Sequence, residues 1–226
     1  MALYESLLPE IIPMVPSCPD TLIENSIRSA TIELCEKSGV YQQELDPITT
    51  IANLFEYDLE PPNGTVVHEI LWATYDGTDL EPITSALLEQ RIPEWRKAGN
   101  EGTPEYFVKQ SQSLFYIAPV PNVTKVSSVL MRAVLKPTHT STACDDDVMN
   151  DYRDTIVNGA LLRLLRMPGR EWTDYAGAGV YASLFNEQLV EAEKRGRQSE
   201  TRVARKVKYG GVGRNYKLTR TRYSRG

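Results

Sequence analysis

The chain has 226 residues, 41% of them hydrophobic, and a formal net charge of −5. That length suits one domain or two closely joined ones, and it buries a core without disulfide or metal staples. No internal repeat, heptad array or low-complexity tract is present, and Cys18, Cys35 and Cys144 are too few and too scattered for a disulfide framework or a zinc site, which points to a reducing compartment.

The first stretch, MALYESLLPEIIPMVPSCPD, is apolar but lacks a basic leader, and prolines at 9, 13, 16 and 19 interrupt it. It reads as neither a signal peptide nor a membrane span. Asp20 and Thr21 open the first helix, with Thr21 and Glu24 spaced as a capping box. Ile23, Ile27, Ala30 and Leu34 form one apolar stripe, and Gly39 is the stop. Strand chemistry follows: Phe55, Tyr57 and Leu59 alternate with Glu56 and Asp58, a Pro-Pro-Asn-Gly turn occupies 61–64, and VVHEILWATY covers 66–75. Asp76-Gly77 signals a hairpin. A short helix is predicted over 84–90, and EGTPEYFVKQ leads into SLFYIAP as a strand pair that Pro119 and Pro121 end. SSVLMRAVLKP, 127–137, reads as the last strand. Five or six short strands at this spacing suggest a small antiparallel sandwich or barrel, not a βαβ sheet.

Helix returns at Asp145-Asp146-Asp147, with Met149, Tyr152, Ile156, Ala160 and Leu164 at helical spacing and a stop at Met167-Pro168-Gly169. A third helix is predicted from about Trp172 to beyond Glu193, where Gly177 and Gly179 weaken it or admit a close crossing. The fold class is therefore α+β: a helical bundle from residues 1–45 and 140–208, an inserted β-rich domain at 46–139, and an extended C-terminal arm at 209–226.

Catalytic and metal signatures are weak. His68 and His139 have no metal-ligand partner at helical spacing, and His68 sits within a strand. Cys35 lies late in the first helix and reads as buried rather than as a nucleophile. Asp145–Asp147 could hold a hard cation, but acids at a helix start also cap amides and suit the helix dipole, which is the better reading. Gly210-Gly211-Val212-Gly213 lacks the Lys-Ser/Thr ending and the helix of a phosphate loop, and reads as a hinge. No metal site and no cofactor is expected.

Charge is divided. Residues 194–226 hold 12 of the 25 Lys and Arg with Glu200 as their one acid, leaving 13 basic and 29 acidic residues before them. The body thus carries −16 and the end +11, the pattern of an interaction tail or a solvated terminus. After the hinge, Arg214, Tyr216, Leu218, Arg220, Arg222 and Tyr223 are spaced mainly by two, as in an extended segment that lays one face on a partner. Arg and Tyr are favoured interface anchors, and the chain holds 12 tyrosines against 4 phenylalanines. Basic residues with interleaved aromatics also suit nucleic acid, although the acidic body repels a duplex.

Three segments together resemble a known family: SIRSATIELCEKSGVYQQEL, with Val40-Tyr41 after the helix; SLFYIAPVPN followed by SSVLMRAVLKPT; and DDDVMNDYRDTIVNGALLRLLRMPG. They resemble the head-to-tail adaptor of short-tailed phages, the tail tubular protein A type. The resemblance implies a structural virion protein without enzyme activity, assembled in the host cytoplasm. It implies a homododecameric ring between the portal protein and the tail nozzle (tail tubular protein B type), with no membrane contact. Viral DNA would pass through the ring without specific binding. It also gives the arm a task, to grip the portal through Lys208, Tyr209, Arg214, Tyr216, Lys217, Leu218, Arg220, Arg222, Tyr223 and Arg225. Other readings are a nucleic-acid-binding protein using the basic tail, a connector of a long-tailed phage, and a metal-dependent hydrolase built on Asp145–Asp147 and a histidine.

Overall fold

The computed structural model describes residues 1–97 and 99–198. The arm residues from Lys208 to Arg225 and the hinge at 210–213 lie outside the described residues.

The proline-broken first stretch is ordered by its prolines. After β1 (Ala2–Leu3) come a 3-10 turn (Tyr4–Leu7), α1 (Leu8–Ile11) and a second 3-10 turn (Ile12–Met14). Pro9 and Pro13 stand at the second positions of α1 and the second 3-10 turn, within the first turn where no N–H is needed. Tyr4, Leu7, Ile11 and Val15 turn into the core.

α2 (Asp20–Ser38) follows. Its stripe is as the sequence predicts, with Ile23, Ile27, Ala30 and Leu34 all fully buried. Each large aliphatic buried this way contributes about 1.5–3 kcal/mol, so the stripe anchors the helix. The predicted capping box does not form: Pro19 is the N-cap, and no side chain caps the amides. The start lies two residues earlier than the box requires, so Thr21 is already inside the first turn. Gly39 closes the helix in the left-handed region at φ 62°, its N–H donating to the Cys35 carbonyl at 3.0 Å.

Strands β2 (Gln42–Glu44), β3 (Ile48–Thr50), β5 (Thr65–Tyr75), β6 (Thr78–Asp79) and β12 (Lys125–Pro137) make a five-stranded sheet, once β4 (Glu56–Asp58) has left it for a second sheet. β12 is the hub, pairing antiparallel with β2, β3 and β5. The predicted hairpin is present: Asp76 at φ 52° and Gly77 at φ 80° turn β5 into β6, and Tyr75 pairs with Thr78. The second sheet has the order β4-β10-β9-β7, with β7 (Glu81–Pro82), β9 (Tyr106–Lys109) and β10 (Leu114–Ala118). Two short pairs depart from the antiparallel expectation. β7 runs parallel to β9, and β8 (Glu101–Gly102) runs parallel to β11 (Val120–Pro121). Between β7 and β8 lies α3 (Ser85–Arg91), where Thr84 accepts the Leu87 amide at 3.3 Å. β12 is not the last strand, since β13 (Ala143–Cys144) pairs back to β1.

The helix predicted from Asp145 is two helices. α4 (Asp146–Asp151) and α5 (Arg153–Leu165) break at Tyr152, whose φ and ψ are −114° and 24°. Asp145 caps α4 by accepting the Asp147 amide at 3.0 Å, so the capping reading of the acid triplet stands. α6 (Tyr175–Gln198) begins three residues after Trp172 rather than at it, because Thr173 folds back to donate its hydroxyl to the Met167 carbonyl at 2.5 Å and Asp174 accepts the Ala176 amide.

The fold is thus mixed α and β, with six α-helices and largely antiparallel sheets among the described residues. One large core joins α2, α5 and α6 to the inner face of the five-stranded sheet. A smaller core of Leu88, Trp95, Val108, Ala118 and Val120 lies under α3. α5 lies tightly against α2 and α6 at Gly159, where a Cβ would meet Phe185 at 2.7 Å and Ala30 at 2.9 Å. Gly177 and Gly179 are not the tight crossing: Gly177 meets the Asp174 side chain and, at an ordinary 3.5 Å, Leu165 of α5, and Gly179 meets nothing within 4 Å.

Candidate interaction surfaces

The described residues offer surfaces for partners rather than a catalytic constellation. His68 is half-buried in β5 and His139 is exposed. No group of three or more His, Cys, Asp or Glu is placed to hold a metal ion among the described residues. Cys35 and Cys144, 109 positions apart, are brought side by side in the core, where their hydrogen bond and burial push the Cys35 thiol well above its ordinary value. A protonated, fully buried thiol is a packing group and not a nucleophile.

The root of the C-terminal arm is built first by α2. Its C-cap leaves the Gly39 carbonyl free, and Gln42 at the start of β2 donates to it at 2.9 Å and to the Gly196 carbonyl at 2.8 Å. Gly196 passes so close that a Cβ there would sit 2.2 Å from the Ser38 carbonyl oxygen. The last turn of α6 is therefore pinned to the end of α2, two residues before Gln198. Arg195 and Arg197 turn back to Glu191 and Glu193 at 2.7 and 2.5 Å, so these two charges are paired within the helix. The basic residues that follow 198 have no such acids beside them in sequence except Glu200.

A second surface lies at one end of the β part. Sequence 47–55 and sequence 110–124 contain no charged residue. Their loops are tied together: Asn53 N–H donates to the Pro121 carbonyl at 2.9 Å, and Ala52 N–H to the Thr124 hydroxyl at 3.0 Å. Tyr57 holds the first loop from below, its hydroxyl donating to the Leu54 carbonyl at 2.8 Å. Ile51, Leu54, Val123 and Val126 are left exposed there, Val126 at 80%. Neutral aliphatics gathered on a strongly acidic body are suited to burial against another protein. Sequence reasoning missed this patch, although the two charge-free runs signal it.

A third surface is the seam between α5 and α6. A cavity of about 330 Å³ opens at its arm end, between Asp151, Asp154 and Glu191. A second, of about 440 Å³ and mainly apolar, opens at the other end, between Met14, Trp172, Val180 and Tyr181.

A chain with a fixed body, a pinned last helix and neutral patches for contact belongs to the class of structural interaction proteins. The model of the SU10 adaptor protein family matches residues 5–207, and the chain belongs to that family of phage adaptor proteins. It is thus a virion component, expected to meet portal and tail proteins. The match spans the described body from Glu5 onward and stops just before Lys208. No curated protein matches the chain. No helix among the described residues is long and apolar enough to cross a membrane.

Proposed function

We propose that the protein is the head-to-tail adaptor of a short-tailed phage, a ring of twelve copies seated between portal and tail nozzle and forming part of the DNA ejection channel. In this reading the residues 1–45 and 140–208 form the helical bundle, 46–139 an inserted sandwich-like domain, and 209–226 the arm that grips the portal. The observation that carries it is the root at Gly196. A helix pinned there by Gln42 delivers the +11 segment from a fixed point on a −16 body. An arm held at its base and rich in Arg and Tyr orders on a partner, and the contacts made there offset its entropy. A head-to-tail ring repeats one such contact around the axis and closes when the rotation allows. Acids lining the channel would keep passing phosphates from sticking.

The test is truncation after Lys208. The body stays folded and loses attachment to portal rings, read by co-sedimentation. Normal attachment of the truncated chain refutes the arm's role. Duplex DNA binding by the full chain that falls steeply between two salt concentrations, without portal binding, transfers the arm to nucleic acid. Attachment only to the portal of a long-tailed phage keeps the adaptor and changes the virion type.

A further inference from the structure

We infer that the α5–α6 seam is the resting dock of this chain's own C-terminal segment, residues 199–226, which folds back along α6 in the free protein. The inference does not rest on the portal reading, since an arm can dock at home whatever it grips later.

The seam is a continuous feature of α6. Gly177, Val180, Leu184, Gln188, Glu191 and Arg195 recur at three- and four-residue steps and so share one flank of the helix. Both cavities open on that flank. A helix in a globular core buries its apolar stripe, yet here Val180 is 60% and Leu184 40% exposed, on the side away from Phe185 and Leu189, which face the core. Met14 adds to the same apolar end, also about half exposed. Trp172 lines that end too, and its indole N–H has no acceptor among the described residues. Leaving such a buried donor unmatched is unfavourable. A small rotation of this half-buried ring would offer the N–H to a carbonyl or hydroxyl lying in the cavity.

The occupant is selected by order, charge and reach. The cavity nearest Gln198 is lined by Asp151, Asp154 and Glu191 together with Arg153 and Arg195; Arg153 pairs with Glu10 and Arg195 with Glu191, which leaves Asp151 and Asp154 without an ion pair among the described residues. The segment leaving Gln198 begins basic, with Arg202, Arg205, Lys206 and Lys208, and is then uncharged from Tyr209 to Gly213 before Arg214 and Tyr216. Unpaired acids then an apolar cavity along the seam thus meet a basic then an uncharged stretch along the segment. The lengths agree. About 20 residues of α6 separate Gly177 from Gln198, roughly 30 Å of helix axis. About ten extended residues cover that distance. A reversal of about four residues brings the stretch from Tyr209 to Tyr216 over the apolar cavity. The glycines at 210, 211 and 213 let the chain bend into it. A second copy's arm carries the same charges, but the chain's own arm is tethered beside the seam and prevails at low protein concentration.

The test uses the full chain. In one variant Tyr209, Tyr216 and Leu218 are changed to Ser, which leaves the body untouched. In another the exposed Val180→Lys change spoils the dock. The readout is the Trp172 indole N–H resonance, assigned by its absence in Trp172→Phe, with Trp72 and Trp95 as internal controls. In both variants this resonance shifts and exchanges with water about tenfold faster, as expected when a segment docked about nine-tenths of the time is released. Trypsin cleaves the segment of the Val180→Lys protein faster by the same factor, at a protein concentration where the native mass is that of a monomer. Unchanged resonances and equal cleavage overturn the proposal. Protection that rises with protein concentration overturns it as well, because the occupant is then another copy. Neither failure touches the portal reading, which the truncation decides separately.

Discussion

A methyl group added at Gly159 has nowhere to go, because the Phe185 ring and the Ala30 methyl already stand within 3 Å of its position. Both belong to other helices, so relief requires α2, α5 and α6 to part. Gly159→Ala is therefore expected to destabilise the body by about 1–3 kcal/mol, the usual cost of overpacking a filled core. The same change at Gly179 meets open space within a helix and should stabilise by up to about 1 kcal/mol, from helix propensity alone. Urea melts of the two variants check the opposite signs. Glu33 offers a pH test at the same junction. Burial pushes its carboxyl up, but Lys37 at 2.5 Å and Arg163 across from α5 outweigh that, and its pKa lies below the ordinary 4.5. A lowered carboxylate pKa contributes stability that is full above the unfolded value and is lost as pH falls through the folded one. Glu33→Gln should thus lower stability at neutral pH and lose its effect below pH 4.5, in melts run across that range. Half-exposed pairs are worth at most about 1 kcal/mol, so the shift is small.

Elements were legible where one short-range signal sufficed. The α2 stripe, the Asp76-Gly77 hairpin, the short helix near 84–90 and the long strands β5 and β12 follow from local periodicity and turn chemistry. What escaped depends on distant neighbours. Gly159 reads as an unremarkable helical glycine until Phe185 packs on it, and the root at Gly196 exists only because Gln42, 154 positions away, holds its carbonyl. The break at Tyr152 is hidden for a similar reason, since the apolar spacing runs through it unbroken. Of the candidate surfaces, the basic end was legible from charge alone, while the neutral β end and the α5–α6 seam require the fold to bring their parts together. The root has a direct test. Gln42→Ala removes both side-chain hydrogen bonds at the end of α6, and amide exchange should rise through the last turn, up to Gln198, while the Gly177–Leu189 amides keep their protection. Uniform protection would mean that packing at Gly196 alone holds the turn. Shortening the side chain should cost the body only about 1 kcal/mol, as for a typical hydrogen bond.

The molecule as a whole is two unequal cores under one sheet system. The larger takes in α2, α5, α6 and much of β5 and β12. The smaller rests on Trp95 and Leu88, each 1% exposed, with Phe55 and Tyr116 edge-on to the indole or near it at 5.1 and 6.3 Å. Arg96 lies 4.5 Å from the same ring, and Glu89 accepts its N–H at 3.1 Å. The indole is thus the hub of the smaller core and touches nothing in the larger one. Trp95→Ala should remove about 3–5 kcal/mol of packing, the usual loss for a buried aromatic. That loss should stay local, because a subglobal unit opens on its own when few apolar contacts tie it to the rest. Amide exchange should then accelerate through α3 and β9–β11 while α2 and α5 hold their native protection. Because Tyr57, Phe107, Phe115 and Ile117 of the same stretch belong to the larger core, the second sheet should keep its inner face. Exchange rising equally in α2 would show that the body opens as one unit, and then residues 46–139 do not act as a separable insertion. Exchange confined to the smaller core would let the β end adjust to a partner while the helices keep the arm's root in place.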